Sequence, residues 1–379
     1  MRVARSERWT AAAAAAAAVG IAAGLVWNPD RTWAAILMAS FGLLGLGLGG
    51  LFFVALNDTC GASWAVALRR VPEAMVFVLP FGAAGLAVVF AVKPSIYPWI
   101  AHAEHFEGFK GLWLSPGFFL GRAVTYVSLW LLFAIGILRA SRALDRGAGP
   151  ALTTRTIALS VSFVVVFAFT FWLASFDWIM SLEPHWYSTI FGVYNFAGLF
   201  TSTLAAVILL VLRLRASGVL RSVVRDEHLH DLGKLLFAFC VFWMYIWFSQ
   251  YMLIWYSNLP EEAVYFVRRQ TGTWRSLFYL NVLLNWAVPF ALLLPKKAKL
   301  GQRLAWAAVT VLAGRILDLY LMVRPAVVSG GPSFGVWEAA PLVLAGTVFV
   351  AVFARAFRSA APVPAGDPRL AESRSYHSS

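Results

Sequence analysis

The sequence predicts an all-α polytopic membrane protein of about ten transmembrane helices, and three observations predict it. Of its 379 residues 60% are hydrophobic and only 13% charged, with a mean hydropathy of +0.73, a composition outside the range of soluble globular chains. Apolar runs of about 20 residues, each long enough for a hydrocarbon core of roughly 30 Å, recur along almost the whole length with short polar stretches between them. The basic residues sit in those polar stretches, so the net charge of +13 reads as membrane orientation and not as a nucleic-acid surface. Lipid offers no partner for unpaired backbone groups, which leaves a bundle of spanning helices as the architecture that fits.

The spans fall at about 9–26, 33–56, 73–92, 117–138, 157–175, 189–212, 233–256, 275–294, 304–323 and 336–354. Span 1 follows Arg2, Arg5 and Arg8 and contains the alanine run Ala11–Ala18, a pattern that a membrane span shares with a cleaved signal peptide. Span 2 holds Gly45, Gly47, Gly49 and Gly50, a formal GxGxxG match. A dinucleotide fingerprint needs a preceding strand and a βαβ unit, so inside an apolar helix these small residues predict close helix packing. Span 3 opens at Glu73, and span 4 carries Arg122 just inside its outer end, placed to snorkel outward or to pair with Asp177. Spans 5 and 6 flank an acidic outer connector. Span 7 is aromatic all round from Phe237 to Tyr256, which reads as bundle packing, with Ser249 and Gln250 as polar groups wanting partners. Span 8 holds Pro289 deep inside it, and span 9 holds Arg315 and Asp318, three apart on one helix face. After span 10 the segment 359–379, with Pro362, Pro364, Gly366 and mixed charges and serines, predicts a disordered cytoplasmic tail.

Counted by alternate sides, 22 of the 31 Lys and Arg residues lie with the termini, 8 lie opposite, and Arg315 is inside span 9. That asymmetry predicts both termini in the cytoplasm. Cys60 and Cys240 are far apart and form no CxxC or CxxCH, which removes the sequence basis for a disulfide framework, iron–sulfur ligation or attached haem c. None of the six histidines (His102, His105, His185, His228, His230 and His377) falls in the middle of a span, so neither a haem b nor a metal site is expected.

Ionisable groups in or beside spans are costly to insert and carry the sharpest functional signal. On the outer side Asp177, Glu183 and His185 stand in a connector without a basic residue, beside the interfacial aromatics Trp178, Trp186 and Tyr187. With Arg122, and continued inward by Arg315 and Asp318, they make the candidate proton path or quinol-headgroup site; an interfacial belt and a structural ion pair are the plainer readings. On the inner side Asp58, His230, Asp231 and Lys234 are the candidate proton entry, against the plainer reading of a solvated loop.

Three stretches resemble a known family: Phe171 to Gly192 (FWLASFDWIMSLEPHWYSTIFG), His230 to Glu262, beginning HDLGKLLF and ending YSNLPEE, and Gly314 to Asp318 (GRILD). They are similar to the ActF-type membrane subunit of alternative complex III, within the NrfD/polysulfide-reductase-like proteins, over roughly residues 30–325. The resemblance implies a quinol:cytochrome c (or other acceptor) oxidoreductase of a bacterial inner membrane, built with an iron–sulfur subunit, multihaem cytochrome c subunits and a companion NrfD-like subunit. It also implies two four-helix bundles, at about 33–175 and 189–323, flanked by the helices at about 9–26 and 336–354. Such a subunit is not expected to be catalytic alone; quinone is its one implied small-molecule partner. Two other classes stay open on the residues. A secondary transporter predicts broken helices at matching positions of two halves, and a structural anchor for peripheral redox subunits gives Arg315 and Asp318 no chemical task.

Overall fold

The computed structural model describes residues 2–101, 106–146, 150–295 and 299–377; His102 and His105 lie outside them. Among the described residues there is no strand, and ten helices are long and apolar enough to cross a membrane. In chain order they are α1 (Arg2–Trp27), α2 (Pro29–Thr59), α3 (Arg70–Val92), α4 (Pro116–Leu144), α5 (Pro150–Trp178), α6 (Phe191–Ala216), α7 (Asp226–Ser257), α8 (Trp274–Leu293), α9 (Gly301–Val327) and α10 (Val336–Arg358). Each predicted span coincides with one of them, and this is a multi-pass membrane protein. Local chemistry sets the ends. Proline opens α2, α4 and α5, where its missing N–H is not needed. Asn258 closes α7 in the left-handed region at φ 48°. Within α3 the helix breaks at Phe77 and Val78, just ahead of Pro80.

Helices α2, α3, α4 and α5 pack in a ring, and α6, α7, α8 and α9 pack in a second. The rings meet along α2 and α6, which are the most enclosed helices, and α10 lies against α2 with α1 outside it. Since lipid is as apolar as the bundle interior, cohesion must come from close packing and from buried polar bonds. The glycines of α2 supply the first. A Cβ on Gly47 would stand 2.9 Å from the backbone nitrogen of Leu79, and one on Gly50 would stand 2.7 Å from the Pro72 carbonyl oxygen, so α3 sits directly on this surface. The glycine cluster is a helix-packing surface, as its setting in an apolar span implied. A bidentate ion pair from Arg31 to Glu338, at 2.7 and 2.8 Å, supplies the second between the first turns of α2 and α10.

The chain after α10 corrects the expectation of disorder. From Ser359 to His377 it folds back along the end of the bundle that holds the C-terminal end of α2. A short helix, Leu370–Arg374, lies there with Leu370 and Ser373 buried. Proline, glycine and serine leave such a segment without a core of its own, but the bundle provides partners that composition does not reveal. Ser373 accepts from the Ala67 amide and donates to the Trp64 carbonyl. We call this end the tail face and the end carrying Asp177 and Glu183 the loop face.

Candidate functional site

Three polar clusters lie between the loop-face end and the middle of the helices. The first lies on the loop face between α4 and α5. Arg122 donates twice to Asp177, at 2.8 and 2.9 Å, and Tyr126 and the Trp113 indole donate to the same carboxylate at 3.1 and 2.9 Å. The guanidinium carbon lies 3.9 Å from the Trp113 ring centre and 4.5 Å from that of Phe118, so its planar face is covered by aromatic rings. Asp177 is thus closed on all sides within the first bundle.

The second cluster begins at Glu183 in the connector after α5. Arg269, on the short helix Pro260–Gln270, donates to Glu183 at 2.7 Å and to the carbonyls of Leu321 and Tyr265 at 2.7 and 2.8 Å. Its guanidinium lies over the Tyr265 ring at 3.5 Å, and Trp186 stacks on that same ring at 3.9 Å. Burial pushes the Tyr265 phenol above its ordinary range, with Arg269 working against that shift. One step inward, Tyr194, Gln250, Tyr265, Arg269, Asn281 and Asp318 line a small cavity of about 20 Å³ together with apolar side chains such as Trp247 and Phe278. The Gln250 amide nitrogen is buried there without a hydrogen-bond partner. A space of this size beside an unpaired amide takes about one water molecule.

Beyond that cavity stands the third cluster, near the middle of α9. Arg315 donates to Asp318 at 2.7 Å and to the Asn195 side-chain oxygen at 3.3 Å. Asp318 also accepts from Asn281 at 3.0 Å and from the Tyr194 hydroxyl, and it is fully buried. The local sequence explains how these groups fit. Pro289 lacks the N–H of a regular turn, and the residues just before it, Leu283–Ala287, form a π-helical turn that turns Asn285 toward α9. Asn285 donates to the Asn281 side chain at 2.8 Å. Gly314 makes this possible, because a Cβ there would stand 2.8 Å from the Asn285 amide, and Gly198 likewise leaves room for the Arg315 guanidinium. Arg315 faces, on its other side, an almost wholly apolar cavity of about 270 Å³ between α2, α6, α9 and α10.

The tail face holds a further network. Asp58 receives two bonds from Arg69, at 2.6 and 2.8 Å, and one from Arg369 of the tail at 3.3 Å. Glu73, fully buried, pairs with Arg69 at 2.9 Å and Arg70 at 2.5 Å and accepts from Ser141. Arg70 reaches on to Asp145, and Arg369 also holds Asp367 at 3.1 Å. Burial opposes the charge of Arg69, but Asp58 and Glu73 more than offset it and hold its guanidinium above the ordinary range. Nearby, Asp231 pairs with Lys234 at 2.7 Å and accepts from Tyr376 at 2.7 Å, while His228 contacts the Ser373 carbonyl at 3.1 Å.

The expected grouping is therefore redrawn. The single outer site splits: Arg122 and Asp177 belong to the first bundle, Glu183, Arg315 and Asp318 belong to the second, and exposed His185 sits against Phe106. The connector turns sharply after Trp178, with Ser181 bonded back to the Asp177 carbonyl, so Asp177 and Glu183 leave it in different directions. The inner site also divides. Asp58 lies in the Arg69 network, Asp231 and Lys234 pair on α7, His230 is half-buried beside them, and the tail bridges the two groups. Sequence reasoning missed Arg269, Tyr194, Asn195, Asn281 and Asn285. The asparagines inside spans 6 and 8 were the available signal, since an amide at membrane depth needs a partner as a charge does. No protein-family model matches this chain and no curated protein matches it, so the geometry of these clusters carries the functional argument alone.

Proposed function

We propose that this chain is an integral membrane subunit of a quinol-oxidising respiratory complex, a quinol:cytochrome c or other-acceptor oxidoreductase, in which it supplies quinone-site architecture and a proton path. One observation carries the reading. Glu183, Arg269, the small cavity at Gln250, Asp318 and Arg315 follow one another from the loop face to the middle of α9, and Arg315 also lines an apolar cavity between α2, α6, α9 and α10. Charges at such depth suit proton transfer or the recognition of a polar ring that travels in lipid. The apolar cavity fits a quinone ring, with the Arg315 guanidinium and the Ser202 hydroxyl as its polar contacts.

From the tail face the path would begin at Asp58 and Glu73, where four carboxylates share three guanidiniums. Between the two ends the hydroxyls of Thr201, Ser202 and Thr203 are spent on backbone carbonyls, at 2.6, 2.8 and 2.9 Å within their own helix and, for Thr201, at 3.3 Å on Phe239 of α7 as well. Hydroxyls held by backbone carbonyls are a poor relay, and this stretch would separate two half-paths and keep protons from leaking between them. Electrons would pass through iron–sulfur and multihaem partners with the companion subunit. A transporter would place its broken helices at matching positions of two halves; the interrupted helices α3 and α8 are second in one ring and third in the other.

The test is affinity purification of the tagged full chain from its native membrane. Co-purification of an iron–sulfur protein and a multihaem cytochrome, with quinol-dependent reduction of the cytochrome, is the expected result. A preparation that contains neither partner and oxidises no quinol would overturn the reading.

A further inference from the structure

Four arginines stand outside every network described above. Arg139, Arg142, Arg146 and Arg155 line a recess of about 760 Å³ between the tail-face ends of α4 and α5. None of the four side chains makes a hydrogen bond or ion pair among the described residues. At the same end of the molecule Arg69, Arg70 and Arg369 are all paired with carboxylates. The one acid in the stretch that joins α4 to α5, Asp145, is held by Arg70. Four like charges are therefore brought to one recess with no counter-charge of their own.

A role in orientation alone requires basic residues on this side of the membrane, not their convergence. The rest of the lining argues for more than solvated charge. Below the arginines the recess is apolar, with Phe77, exposed by 40%, on one side and Leu159 on the other. Gly136 leaves room between α4 and α5, since even a Cβ there would only reach ordinary contact with Leu159 at 3.8 Å. A soluble anion has no use for that wall, and an acidic protein loop would not follow it toward the hydrocarbon. The guanidinium fork matches phosphate oxygens in pairs, and a basic pocket between spanning helices suits an acidic headgroup.

We propose that this recess binds an anionic phospholipid, its phosphates held by Arg139, Arg142, Arg146 and Arg155 and one acyl chain laid over Gly136 between α4 and α5. Four cations match a two-phosphate headgroup best. The site is independent of the groups from Glu183 to Arg315 and of any redox partner.

Native mass spectrometry of the full chain in mild detergent, titrated with cardiolipin, phosphatidylglycerol and phosphatidylethanolamine, tests it. Cardiolipin should bind tightest and phosphatidylethanolamine weakest, with millimolar inorganic phosphate failing to displace either anionic lipid. The triple variant Arg139→Gln, Arg142→Gln, Arg155→Gln should weaken cardiolipin binding by about fivefold per arginine, or roughly a hundredfold in all. Gly136→Phe keeps every charge but blocks the groove, and it should weaken cardiolipin while leaving phosphatidylethanolamine unchanged. Equal binding of all three lipids, or unchanged cardiolipin affinity in the triple variant, would overturn the proposal; displacement by phosphate would make this a soluble-anion site and overturn it too. If the triple variant does not insert, Gly136→Phe decides, and unchanged cardiolipin binding in that variant would overturn the proposal.

Discussion

Replacing Asp318 by Asn tests whether the Arg315–Asp318 pair is structural or functional. Asp318 accepts from Arg315 at 2.7 Å, from Asn281 at 3.0 Å and from Tyr194, with no exposure of its own. The variant keeps the shape but strands a guanidinium that is 7% exposed near the middle of a spanning helix. Breaking a buried pair from one side costs about 3 kcal/mol, close to the insertion cost of one arginine at the helix centre. Replacing both partners by apolar residues of similar volume, Arg315→Met with Asp318→Leu, leaves no stranded charge and should restore most of that loss. Cys240 is a ready reporter, being fully buried while Cys60 is exposed, so a Cys60→Ser background gives one thiol whose labelling follows unfolding. If the pair is lost before the unfolding barrier, the single variant should shorten the labelling half-time about a hundredfold, at 1.4 kcal/mol per tenfold. The double variant should lie within about tenfold of the parent. Quinol oxidation and proton release by the assembled complex then separate the roles: a functional pair loses turnover in the double variant despite restored stability. A double variant with parental turnover at every pH would refute the proposed path, and a single variant with parental labelling would refute the buried pair itself.

Arg269→Gln takes from Glu183 its 2.7 Å partner, leaving Arg268 at 3.7 Å, and leaves the Leu321 carbonyl without its donor, so it should destabilise the second bundle by about 3 kcal/mol; an unchanged Cys240 labelling rate would remove Arg269 from the site. Gly47→Ala forces a Cβ to 2.9 Å from the Leu79 backbone and should cost about 1–3 kcal/mol, whereas Gly117→Ala, with nothing within 4 Å, should be neutral by the same assay. Docking of the tail should depend on pH through Asp367, whose carboxyl burial pushes up but Arg369 pulls down further, to a net value below the ordinary carboxylate range. A depressed folded-state pKa means that this contribution is complete above the free carboxylate value of about 4 and is lost as pH falls through the folded one. Protease cleavage between Ser359 and Arg369 should accordingly rise at acid pH in the parent and be high at all pH values in Asp367→Asn; a pH-independent parent would refute it.

Hydropathy and loop charge are local properties, and they determined what kind of molecule this is. Ten apolar runs fixed ten helices, and the glycines of α2 announced a packing surface because no side chain fills the space they leave. Partner choice is not local. Arg269 read as one more outer-loop charge, since its acceptors Leu321 and Glu183 lie 52 and 86 residues away along the chain. The tail read as disordered because its composition cannot build a core, yet Arg369 meets Asp58 across 311 residues and Tyr376 meets Asp231 across 145. Asp177 and Glu183, six residues apart in sequence, joined different bundles because the turn after Trp178 sends them to different helices. A charge inside a membrane must find a counter-charge, so the sequence determined that pairs exist. Which residues pair depends on which helices lie side by side, and only the tertiary structure decided that.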